Sequence, residues 1–142
     1  MKRTVLANAR VVDVENGDYH PDGAGVVIED GRISSVSRPA DGWGEAAVID
    51  MGGRALVPGM FNTHCHLFMG PRGIVGARQV AKSLADCVDR GITNIRDAMC
   101  HDLRDSRSWS GRVTGGEIAG PRINQAVLIS IAGGTYAPAR TP

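Results

Sequence analysis

Residues 55–69 read Ala55-Leu56-Val57-Pro58-Gly59-Met60-Phe61-Asn62-Thr63-His64-Cys65-His66-Leu67-Phe68-Met69. An apolar run passes through a Pro-Gly step and arrives at two histidines one residue apart. As a strand, this run sends alternate side chains to opposite faces, so His64 and His66 project together and Cys65 projects away. Their Cα atoms then stand roughly 6.5–7 Å apart, close enough for both imidazoles to reach one metal ion. Imidazole suits zinc and comparable divalent ions. A catalytic zinc site keeps about three protein ligands and a water, so the pair is only part of one.

The residues after His66 exclude two other histidine-pair folds. A cupin places a Glu four or five positions on, where Gly70 and Pro71 stand. A metallo-β-lactamase continues into Asp-His, where Phe68 and Met69 stand.

Outward from this stretch, the C-terminal side reads as alternating strands and helices. Ala77, Val80, Ala81, Leu84, Cys87 and Val88 fall at helical spacing and predict a helix over residues 74–90, closed at Gly91. Residues 92–97 form a second strand. The order strand, helix, strand predicts parallel pairing by a right-handed crossover. Residues 104–119 carry helical spacing weakened by Ser and Gly, and residues 123–130 read as a third strand.

On the N-terminal side the strands are short. Residues 3–14 hold two β-prone runs, residues 25–37 a hairpin about Asp30-Gly31, and residues 47–50 a further strand. Asp-Gly favours the positive φ angles of a type I′ turn. The expected architecture is α/β. Residues 1–55 form a small antiparallel, sandwich-like β subdomain, and residues 56–142 the first three strands of a TIM-like (β/α)8 barrel. Active sites of such barrels lie at the C-terminal ends of the strands, where the histidines fall. A whole barrel takes about 250 residues, so about three of eight units are expected here.

Composition narrows the function. The 142 residues carry 16 Lys and Arg against 15 Asp and Glu, and no basic stripe of the kind nucleic acid needs. No apolar run approaches the ~20 residues of a membrane span. Lys2-Arg3 and the apolar residues after them are interrupted at Asn8 and Arg10, short of a signal peptide, so a cytoplasmic location is expected. Three cysteines without paired spacing indicate neither a disulfide framework nor a zinc ribbon. Cys65 and Cys87 read as small core residues, and Cys100 has no evident base to make it a nucleophile.

The stretch Val-Pro-Gly-Met-Phe-Asn-Thr-His-Cys-His resembles the first-strand signature of the amidohydrolase superfamily, Pro-Gly-Leu-Ile-Asp-x-His-x-His. The Asp-Gly-Arg-Ile hairpin is similar to the opening strands of many members. Gly-Ile-Thr-Asn-Ile-Arg-Asp, Gly-Pro-Arg-Ile and Ile-Ser-Ile-Ala-Gly-Gly resemble the imidazolonepropionase-like branch, which includes prolidase-type dipeptidases. The likeness runs along essentially the whole chain.

The resemblance implies metal-dependent hydrolysis of amide, dipeptide or cyclic amide C–N bonds by activated water. His64 and His66 would be metal ligands, with zinc the expected divalent ion, one or two in the complete fold. The other ligands of that family, a carboxylated Lys, two His and an Asp that is also the base, would come from later strands. No catalytic residue is therefore assigned within these 142 residues, which are expected to be inactive alone. A homo-oligomer or a complementing C-terminal segment is the expected assembly. The alternatives are a non-catalytic metal-binding or interaction module, or one half of a split enzyme. Asp97 and His101, at and after the end of the second strand, are candidate substrate contacts. A loop hydrogen bond for Asp97 and a solvated place for His101 are the plainer readings. Asn62 and Thr135 stand where the family commonly has Asp and His, respectively.

Overall fold

A computed structural model describes residues 3–21, 24–37, 42–100 and 103–127. His101, Gly133, Gly134, Thr135 and residues 128–130 of the expected third strand lie outside the described residues. The chain divides into two compact units, Met1–Pro58 and Gly59–Pro142.

The first unit is all β. Strands β1 (Arg3–Ala7), β2 (Arg10–Asp13), β3 (Asp18–Tyr19), β4 (Gly25–Glu29), β5 (Arg32–Ser37), β6 (Ala47–Asp50) and β7 (Ala55–Leu56) form two sheets. One has the order β5-β4-β1-β6, the other β3-β2-β7. The β4–β5 turn has Asp30 at φ 48° and Gly31 at φ 78°, the two positive angles expected of an Asp-Gly hairpin.

Valines in succession on β4 cover two faces of its sheet. Val27 packs with Val5 and Ala7 on one face, beside Trp43. Val26 packs with Ala9, Val11 and Ala24 on the other, where Leu56 joins them. The second sheet thus covers one face of the first. The expectation of antiparallel pairing throughout is corrected in two places: β1 pairs with β6, and β2 with β7, in parallel. Alternation sets which face a residue takes but not strand direction. A connection longer than a hairpin, such as the one before β6, lets a strand return parallel to an earlier one.

The second unit is strand, helix, strand, helix, strand. Strands β8 (Met60–Cys65), β11 (Ile92–Cys100) and β12 (Arg122–Val127) form a parallel sheet in the order β12-β11-β8. Between β8 and the first helix lies a small hairpin, β9 (Met69–Gly70) with β10 (Gly73–Ile74). Helices α1 (Ala77–Asp89) and α2 (Leu103–Thr114) follow β10 and β11. Helix α1 therefore begins three residues later than its apolar spacing suggests, because residues 73–74 are held in the hairpin.

On α1 the buried stripe is narrower than the spacing predicts. Val80 and Leu84 are fully buried and Ala81 and Cys87 pack beside them, whereas Ala77 and Val88 are exposed. Gly91, at φ 77°, donates its N–H to Val88 O at 2.8 Å and ends the helix as its position implied. Helix α2 holds despite its serines and glycines because Trp109, 5 % exposed, anchors it to Val80, Leu84, Ile95 and Ile123. Gly116, at φ 72°, follows its last turn, so the helix stops short of residue 119. Among the described residues no helix is long and apolar enough to cross a membrane.

Candidate metal-binding site

Strand β8 ends at Cys65, at the C-terminal edge of the parallel sheet, with His64 inside the strand and His66 one residue beyond it. The two imidazoles nevertheless meet. Their Nε2 atoms are 3.3 Å apart and the rings stand edge to face, centroids 5.1 Å apart. Two nitrogens each about 2.0–2.1 Å from one tetrahedral ion are separated by about 3.3 Å. The pair therefore fits a shared cation as it stands. It also fits a single N–H···N hydrogen bond between neutral rings.

The neighbours of the pair differ in character. Asn62 Oδ1 accepts the backbone N–H of His64 at 3.1 Å. Cys65 Sγ donates to Arg96 O at 3.4 Å and packs against the Leu67–Phe68–Leu84 core. Burial, then the charge of Asp97 and the neighbouring Cys87, push its thiol up to about 11. Burial also pushes the Cys87 thiol up, with Arg90 opposing. Neither is a ready thiolate at neutral pH.

Asp97 lies opposite Cys65 in the β8–β11 register and is fully buried. Its Oδ1 accepts the backbone N–H of Leu67 at 3.3 Å and of Met99 at 3.4 Å. Among the described residues its Oδ2 has no hydrogen-bond partner, and neither does the buried Nδ1 of His66. Of the four residues the sequence singled out, His64 and His66 come together and Asp97 holds the loop that follows them. His101 lies outside the described residues. Among the described residues no three His, Cys, Asp or Glu side chains gather as a metal cluster.

The hairpin β9–β10 went unread in the sequence. It walls a cavity of about 590 Å³ whose lining includes His66, Cys65, Met69, Arg72, Ile74 and Gln79. Its two-residue strands are too short to show alternation. Gly70-Pro71 and Gly73 on either side of Arg72 were the available signal for a turn.

No protein-family model matches the chain, and no curated protein does. Solved structures do. A prolidase crystallised with N-methylphosphonate-L-proline is 26% identical with a TM-score of 0.76, over 97% of this chain and 37% of that one. An amidohydrolase structure is 23% identical with a TM-score of 0.77, over 99% of this chain and 37% of its own. A Xaa-Pro dipeptidase with methionine bound in its active site is 21% identical, at the same TM-score and coverage. The chain spans about a third of the length of these structures. The likeness to these structures supports reading the chain as a fragment of an amidohydrolase-superfamily fold.

Proposed function

We propose that this chain supplies the first two metal ligands, His64 and His66, of a hydrolase that cleaves amide bonds in small substrates such as dipeptides, N-acyl amino acids or cyclic amides. The observation that carries the reading is the 3.3 Å approach of the two Nε2 atoms at the C-terminal end of a parallel strand. The prolidase and dipeptidase likenesses support the imidazolonepropionase-like branch and its substrate class. The β8-α1-β11-α2-β12 order supports reading the second unit as the opening of a (β/α)8 barrel, with the first as the accompanying small β domain.

When bound, a divalent ion, zinc by the chemistry of the two donors, would supply Lewis-acid activation of water and of the amide carbonyl. The chain's own residues do the positioning. His64 and His66 present two nitrogens, Asn62 ties the His64 backbone, and Asp97 ties the loop after His66. The cavity walled by β9–β10 opens beside His66 and offers apolar Met69 and Ile74 with the Arg72 guanidinium to a substrate. The remaining ligands and the general base would come from outside the described residues.

Met60 and Phe61 are exposed on β8, an edge strand of its sheet among the described residues, which supports association with another polypeptide or a second copy. The free Cys65 and Cys87 fit a reducing, cytoplasmic setting.

The test is product release from dipeptides, N-acyl amino acids and cyclic amides, with zinc added, by the 142-residue polypeptide and by mixtures with a polypeptide carrying the later strands. Turnover only in the mixture, lost on His64→Ala, is the expected result. Turnover by the mixture that survives both His64→Ala and His66→Ala would refute the assignment.

A further inference from the structure

The histidine pair meets half of a metal's requirement. Zinc in a closed site takes four ligands in a tetrahedron. His64 and His66 supply two, their Nε2 atoms 3.3 Å apart, which is the spacing two corners of that tetrahedron need. The groups nearest in the fold are turned elsewhere. Cys65 Sγ donates to Arg96 O, and Asp97 Oδ1 accepts the N–H groups of Leu67 and Met99. Among the described residues no third His, Cys, Asp or Glu joins the pair.

The pair also stands amid surface that favours contact with another chain. His64 is exposed, and His66 opens onto the cavity walled by the β9–β10 hairpin. Met60 and Phe61 are exposed ahead of the pair on β8, and Met69 and Ile74 are exposed beyond it on the hairpin. Among the described residues β8 is an edge strand, so one side of its backbone ladder is open.

We infer that two copies of this chain share one zinc ion, each giving His64 and His66, across the open edge of β8. A two-fold axis through the ion carries one pair of nitrogens onto the other, so both copies present the same patch. The apolar side chains around the pair then leave water together. Four nitrogens close the coordination and leave no position for water, so the shared ion is a clamp and not a catalyst. A polypeptide carrying later strands competes with the second copy for that edge. This inference rests on the reading of His64 and His66 as ligands and names what completes them in this polypeptide.

The test is native mass spectrometry and sedimentation velocity of the 142-residue chain, with zinc added from none to excess. The expected result is a monomer without metal and two chains with one zinc at half an equivalent per chain. EDTA should return the monomer. His64→Ala and His66→Ala should stay monomeric, and Ile74→Ser should weaken the zinc dimer severalfold at the same stoichiometry. A monomer carrying one zinc overturns the inference and leaves the ligand reading standing. A dimer that forms without zinc, or that carries two ions, overturns it equally. No zinc bound by the wild type overturns it together with the ligand reading. The wild-type stoichiometry decides even where a variant fails to fold.

Discussion

Asn62 Oδ1 accepts the backbone N–H of His64 at 3.1 Å, two residues along the same strand. A carboxylate at position 62 would accept the same hydrogen bond. Asn62, where the resemblance puts an Asp, therefore keeps that contact without a negative charge near the histidines. Asn62→Asp is expected to leave the melting temperature nearly unchanged and to tighten zinc binding severalfold. Asn62→Leu is expected to cost about 0.5–1.5 kcal/mol of stability through the lost hydrogen bond. Calorimetric zinc titration and thermal melts of the two variants check this.

Gly59 sits where a Cβ would run into the side chain of Thr93. Gly59→Ala is expected to destabilise the second unit by about 1–3 kcal/mol, the usual cost of forcing extra volume into a packed site. Combined with Thr93→Gly, it should cost less than the sum of the two single changes, because the clash is then gone. A double-mutant cycle in urea reads this directly, and strict additivity would count against the close approach.

Three surface carboxylates predict acid sensitivity. The Asn16 side chain holds Asp13 below its ordinary value, the Gly52 N–H and then Asn8 do so for Asp50, and Lys82, 2.6 Å away, does so for Asp86. A carboxylate with a lowered folded value contributes stability that is fully present above its unfolded pKa of about 3.9 and lost as pH falls through the lower folded value. The urea midpoint should therefore hold to about pH 5 and drop below about pH 4. Asp50→Asn should lower the plateau and flatten that drop.

The Cys65 thiol, pushed up to about 11, should resist alkylation. Relative to an unshifted cysteine it carries about 100-fold less thiolate at pH 8, which sets the rate. Peptide mapping after iodoacetamide treatment should find Cys65 labelled slowly in the native chain and promptly in urea. Prompt native labelling would mean that the β8–β11 packing around it is looser than described.

The parallel second unit and the histidine pair were legible because each follows from a local rule. Period-2 alternation sends His64 and His66 to one side, helical spacing marks Val80 and Leu84, and Gly91 ends α1 where a left-handed residue is needed. What escaped depends on partners distant in sequence. The parallel β1–β6 and β2–β7 pairings join residues about forty apart, with nothing in either strand to set its direction. The β9–β10 hairpin is two residues per strand, below the length at which a pattern exists. The orphaned Oδ2 of Asp97 became visible only once β11 was laid against β8. Asp97 drew notice as the end of the second strand, but β11 runs on to Cys100, and what its buried carboxylate does is accept the Leu67 N–H.

The central claim is that His64 and His66 hold a divalent ion while Cys65 between them does not. Equilibrium dialysis of the purified chain against zinc, with metal content measured for wild type, His64→Ala, His66→Ala and Cys65→Ser, tests it most directly. The account predicts that each histidine variant loses most of the bound zinc and that Cys65→Ser keeps it. Equal loss in all three variants, or zinc retained when both histidines are replaced, would contradict it.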